Sequence, residues 1–117
     1  MAAEHVLVLI SVDPETSHRT NEAIRIALGI IAGENHVTIA FTGPAAKVFT
    51  TEVEDLVDGE DIQKHLATLK KLGQVFHAHA GAIPADERWS PDGATIVPFT
   101  TDGVPRLIAR SDRVLVF

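Results

Sequence analysis

His77 and His79 are the side chains whose type and spacing best suit chemistry in this chain. They fall in Gln74–His79, a stretch that reads as a strand, and residues two apart on a strand face the same way. Both imidazoles then lie on one face near the strand's carboxyl end, where sites form in α/β sheets. A His-x-His pair can offer two ligands to zinc or another transition metal. His5, Asp13, Asp86 and Glu87 are third ligands by type. The other reading is two ordinary half-buried histidines, bonded to loop backbone or lining a subunit interface. The pattern alone calls for no metal and no cofactor; His77 and His79 are the residues that would hold one.

Ser11, Asp13 and Thr16 occupy the turn after an opening apolar run, His5–Ile10. A serine there can bind a ligand's oxyanion with help from backbone N–H groups at a helix start. Turn chemistry accounts for the same residues more simply, with Asp13-Pro14 making the turn and Thr16 or Ser17 capping the helix. Thr42, after a second strand, and Thr100, after a fourth, come to the same end of the sheet. Trp89 is the only tryptophan and lies in a long loop beside Arg88. It can close a pocket, anchor a partner, or pack the loop on the core. Together Ser11, Asp13, Thr42, His77, His79, Trp89 and Thr100 form a candidate ligand pocket, with no catalytic residue assigned.

Several chemistries lack their signatures. Nothing reads G-x-G-x-x-G or G-x-x-x-x-G-K-[ST], so nucleotide binding has no support. No G-x-S-x-G elbow is present for a serine hydrolase. The paired carboxylates Glu60-Asp61 and Asp86-Glu87 are neighbours in sequence, and on a helix such residues diverge by about 100°. They read as solvated charge.

The elements that must position these residues begin with a β-α-β unit over residues 5–45. His5–Ile10 is rich in Val, Ile and Leu, as in a strand buried on both faces. Ala23, Ile24, Ala27, Leu28 and Ile31 recur at helical spacing, and Gly33 suits a left-handed helix end. A second strand, Val37–Phe41, ends at Thr42-Gly43-Pro44. Pro44–Val48 reads as a short helical turn, and Phe49–Gly59 as a helical turn or an acidic excursion towards a partner, a solvated acidic connection being the simpler reading. Asp61–Leu72 is a second helix with the stripe Ile62, Leu66, Leu69, Leu72, acids first, Lys70-Lys71 last, and Gly73 as its stop. Strand Gln74–His79 follows. Ala80–Gly93 is a long loop with a helical turn near Pro84–Arg88. Ala94–Phe99 is a strand, about Asp102 to Arg110 a helix capped by Thr101, and Arg113–Phe117 a last strand. That apolar strand belongs inside the sheet or in an interface.

Strands alternating with helices predict a three-layer α/β/α sandwich around a mainly parallel five-stranded sheet. The opening VLVLIS-DPE, the helix NEAIRIALGIIA, the strand VTIAFTG and the ending LIARSDRVLVF resemble the DsrE family of small sulfur-relay proteins. The resemblance covers nearly the whole chain as a single domain, 1–117. It implies a compact α/β/α fold, homo-oligomers (a trimer or hexamer) or hetero-oligomers, and often a cysteine that carries persulfide sulfur. In that family the cysteine lies at the end of the third strand or just beyond, where Ala78 and Ala80 stand here. This chain contains no cysteine. It departs from the family chemistry there: either the chain is a non-catalytic subunit, with a cysteine-bearing paralogue as one candidate partner, or the family pocket serves another purpose.

Composition narrows the field further. At 117 residues and 45% hydrophobic content, one domain with one core is expected. The apolar runs are strand length, so no membrane span is predicted. The N-terminus lacks a basic region, so no signal peptide is expected. Without cysteine there is no disulfide and no thiol nucleophile, which fits a cytoplasmic protein. A net charge of −6 with scattered Lys and Arg argues against nucleic-acid binding. The functional expectation is a small cytoplasmic oligomer acting as a binding or accessory subunit in sulfur metabolism. The alternative is a ligand- or metal-dependent enzyme using a His77/His79 crevice.

Overall fold

The computed structural model describes residues 4–84, 89 and 91–117. Five strands form one sheet in the order β4-β3-β2-β1-β5. They are β1 (His5–Ile10), β2 (His36–Phe41), β3 (Phe76–His79), β4 (Ile96–Phe99) and β5 (Arg113–Val116). Every pairing is parallel. The chain is an α/β protein with an all-parallel sheet, where sequence reasoning expected a mainly parallel one.

Among the described residues, three α-helices lie in crossovers: α1 (Arg19–Ala32), α2 (Gly59–Lys71) and α3 (Val104–Ala109). The steps β1 to β2 to β3 move one way across the sheet, and β4 to β5 returns. Right-handed crossovers therefore place α1 and α2 on one face and α3 on the other. The first face holds the core. Val6, Val8 and Ile10 of β1 and Val37, Ile39 and Phe41 of β2 align in register with Phe76 and Ala78 of β3. These side chains pack against Ala23, Ile24 and Ala27 of α1 and Ile62 and Leu69 of α2. Phe49 stacks edge-on to Phe41 at 4.9 Å and tilts against Phe76 at 5.6 Å. Thr20 is the buried polar exception, and its hydroxyl donates to the Val12 carbonyl at 3.2 Å.

Among the described elements, the short α3 is the helix that covers the second face. Val97 of β4 is 39% exposed, Ile108 of α3 43% and Val116 of β5 62%. Parallel sheets normally hide both faces, so this one is under-covered in the single chain. The last strand proves to be an edge strand rather than an interior one. No described helix is long and apolar enough to cross a membrane.

Several helix ends depart from expectation for local reasons. Ser17 caps the start of α1 as expected, its hydroxyl oxygen accepting the Arg19 N–H at 3.1 Å, while His18 between them is already helical and makes no side-chain cap bond. Thr16 and Ser17 also donate their backbone N–H groups to the Asp13 carbonyl in the preceding turn. Gly33 has φ −83°, and the left-handed residue is Glu34 at φ 65°. Asn35 N–H reaches the Ile30 carbonyl and Glu34 N–H the Ile31 carbonyl, a Schellman closure shifted one residue past the glycine. In α2 the same closure falls on Gly73 at φ 80°, as expected. Leu72 is 58% exposed, because the helix ends before its stripe does. Helix α3 starts late: 3-10 turn Thr101–Gly103 precedes it, and Gly103 takes the cap position assigned to Thr101. The helical turn expected near Pro84–Arg88 lies almost wholly outside the described residues.

Candidate functional site

The carboxyl ends of the strands converge on a short stretch of surface. After β3 the chain turns towards the α1/α2 face, and after β4 it turns towards the α3 face. A crevice opens at such a reversal, and ligands of open α/β sheets bind there. Here an open depression is lined by Leu9, Thr42, His79, Phe99, Val104 and Pro105, with Gly43 at its edge. Gly43 has φ 52° and opens the 3-10 turn Gly43–Phe49, so the backbone can leave β2 sharply.

His79 is fixed from two sides. Its Nδ1 accepts the Gly81 N–H at 3.3 Å. In the neutral ring the proton therefore resides on Nε2. Phe99, its register partner on β4, meets the ring edge-on with centroids 6.1 Å apart. Thr42 donates its hydroxyl and its N–H to the Ile10 carbonyl, at 3.3 and 2.8 Å. That clamp holds the β2 exit against β1.

His77 lies one pleat below His79 on the same face, opposite Val97. Its Nδ1 is buried and has no hydrogen-bond partner. Burial holds its pKa below the ordinary imidazole value, because the charged form loses hydration there. Such an orphaned nitrogen in a half-buried ring is the one unsatisfied side-chain atom of its kind among the described residues.

The other candidates take different partners. Ser11 donates both its hydroxyl and its N–H to the Phe117 carbonyl, at 3.0 and 2.8 Å, and so latches the end of β5 to β1. Asp13 accepts the Glu15 N–H at 2.9 Å and the Lys47 ammonium at 3.1 Å. The Glu15 N–H, then Lys47, hold its carboxyl below the usual range, and Asp13 in turn raises the Lys47 amine. Thr100 is exposed, and its carbonyl accepts from Gly103 N–H at 2.8 Å to start the turn into α3. Trp89 is half-buried and lines neither this depression nor the cavity on the other face.

The structure thus brings Thr42 and His79 together and gives Ser11 and Asp13 structural contacts. His5, a third ligand by type, is bonded to Thr38 at 2.7 Å near the amino end of the sheet. Asp86 and Glu87 lie outside the described residues. No three His, Asp or Glu side chains among the described residues are placed to hold a metal ion. Sequence reasoning missed Phe99, Leu9 and Pro105 in the depression, and Lys47 as the partner of Asp13. Phe99 ends β4 as His79 ends β3, but only the register of the two strands brings the rings together.

The DsrE/DsrF-like family model matches residues 4–117. A search of curated proteins gives no match. Among solved structures, the crystal structure of the ychN protein from E. coli superposes with a TM-score of 0.75 at 15% identity. That likeness covers 97% of this chain and 99% of the other, and it speaks for the fold. The chain belongs to the DsrE/DsrF-like family.

Proposed function

We propose that this member of the DsrE/DsrF-like family is a non-catalytic accessory or binding subunit in sulfur-relay chemistry. One observation carries the reading. The third strand ends at His79 between Ala78 and Ala80, and the chain has no cysteine to form a persulfide. Persulfide transfer needs a thiolate nucleophile, and neither alanine nor imidazole replaces it. Beside that position His79, Thr42 and Phe99 surround an apolar depression. A subunit of this kind would shape or complete a site whose sulfur sits on another chain.

The partners proposed are further copies of this chain, as a trimer or hexamer, and a cysteine-bearing relative. The thinly covered sheet face with Val97, Ile108 and Val116 supports association. A cytoplasmic setting fits a chain without disulfides. Co-expression with a cysteine-bearing relative tests the reading. A stable complex, in which sulfur transfer by the relative changes when this chain is omitted, supports it. Activity of this chain alone in moving sulfane sulfur overturns it.

The orphaned Nδ1 of His77 favours one second reading, a small-molecule or metal-dependent site using His77 and His79. It predicts bound mass that is lost in the double variant His77→Ala/His79→Ala.

A further inference from the structure

The side of the sheet away from the crevice carries a second concave feature. After β2 the chain makes the 3-10 turns Gly43–Phe49 and Val53–Asp55 before entering α2. These turns fold back over α2 and leave a cavity of about 430 Å³. That volume falls in the range of small-molecule pockets and far exceeds the room one water needs. Its apolar lining includes Phe49, Leu56, Ile62, Leu66, Phe76 and Ala94. The wall is firm where α2 begins. A side chain at Gly59 would place its first carbon 2.0 Å from the Val53 carbonyl oxygen, so the turn and helix are in direct contact.

Charge enters this lining at exposed residues only: Glu52, Lys70 and Asp92. The Lys70 ammonium donates to the backbone carbonyl of Asp92. Among the described residues, Lys70 makes no ion pair, and neither do Glu52 and Asp92. An unneutralised cation and unneutralised carboxylates therefore border one hollow, whose apolar lining is joined by Thr50, Thr51 and Gln63. A monoanion would satisfy Lys70 and be repelled by Glu52, and a simple amine would do the reverse. One molecule that carries both signs beside an apolar group complements all three features.

We propose that this cavity binds a small zwitterion with an apolar side chain, the chemistry of an aromatic or branched α-amino acid. Its carboxylate meets Lys70, its ammonium meets Glu52, and its side chain takes the space between Phe49, Leu66 and Phe76. This site is separate from the crevice and does not depend on the accessory-subunit reading.

Isothermal titration of the purified chain with L-phenylalanine and L-leucine tests it, with phenethylamine and 3-phenylpropionate as half-ligands. The expected result is saturable binding at one site per chain, with each half-ligand weaker by about tenfold or more, as loss of a charge-assisted bond dictates. Lys70→Gln should erase the preference over phenethylamine, and Glu52→Gln the preference over 3-phenylpropionate. Leu66→Trp should fill the cavity and abolish binding; Ala67→Trp, at an exposed lining position, does the same if Leu66→Trp fails to fold. His79→Ala should leave binding unchanged. Absence of saturation into the millimolar range would overturn the proposal. So would half-ligands that bind equally well, or unchanged binding in a folded cavity-filling variant.

Discussion

His79 and Phe99 end adjacent parallel strands in register, and their rings meet at 88° with centroids 6.1 Å apart. The contact ties together the two strands between which the chain reverses its direction of crossover. An edge-to-face pair of this kind fixes ring orientation as well as distance. The Gly81 N–H bond to Nδ1 then sets which nitrogen of His79 carries the proton. Among the described residues, the crevice is built by backbone topology and this aromatic contact, with Leu9, Thr42, Val104 and Pro105 completing its lining.

Restoring a thiol should separate the two alanines beside His79. Ala80 is exposed and Ala78 is fully buried in the core. Ala80→Cys should react quickly with a thiol reagent such as Ellman's reagent in the native protein and accept sulfur from a polysulfide donor. Ala78→Cys should react only on unfolding. Equal native reactivity at both positions would contradict the placement of the third strand.

The orphaned His77 makes stability depend on pH in a defined direction. Its folded pKa is lowered from 6.5 by burial, so the unfolded chain binds the proton more readily. This contribution is neutral well above 6.5, and stability falls as pH drops through 6.5 towards the lowered value. Urea titrations from pH 8 to 5 should show a steeper acid loss for the parent than for His77→Gln. The difference should stay below the single-group limit of about 1.4 kcal/mol per pH unit. Equal slopes would show that His77 finds a proton-accepting partner on folding.

The shifted helix end predicts a stabilising change. Glu34 adopts φ 65°, a left-handed conformation that strains a residue with a side chain. Glu34→Gly removes that strain but adds freedom to the unfolded chain, for a net gain of about 0.5–1 kcal/mol. Chemical denaturation measures it. A loss of stability would mean that the glutamate side chain supports the end of α1.

Gly59 predicts the opposite. Any side chain there collides with the Val53 backbone, so Gly59→Ala must push the Val53–Asp55 turn off α2. A cost of about 1–3 kcal/mol is expected, as for overpacked cores. The midpoint of urea unfolding reads it directly. An unchanged midpoint would show that this turn is free to move.

Much of this was legible in the residues. Runs such as Val6-Leu7-Val8 and Ile39-Ala40-Phe41 are apolar at every position, because a parallel sheet buries both faces of its inner strands. Ala23, Ile24 and Ala27 mark the buried stripe of α1 by their spacing alone. The left-handed residue was misplaced from Gly33 to Glu34 because helix length is set by packing, and a glycine one residue early leaves its neighbour to make the turn. Ser11 and Asp13 were legible as turn residues, but their partners Phe117 and Lys47 come from 106 and 34 residues away. Long-range partners of that kind carry no local signal. Phe99 was hidden similarly, since its meeting with His79 depends on the register of two strands separated by a long loop.

Native mass spectrometry of the untagged protein purified from its own host tests the accessory-subunit reading most directly. The account predicts an assembly that contains a second, cysteine-bearing family member with this chain, and sulfane sulfur carried on that partner alone. A bare homo-oligomer that keeps a small molecule or metal, lost in His77→Ala/His79→Ala, would contradict it and assign the function to this chain's own crevice.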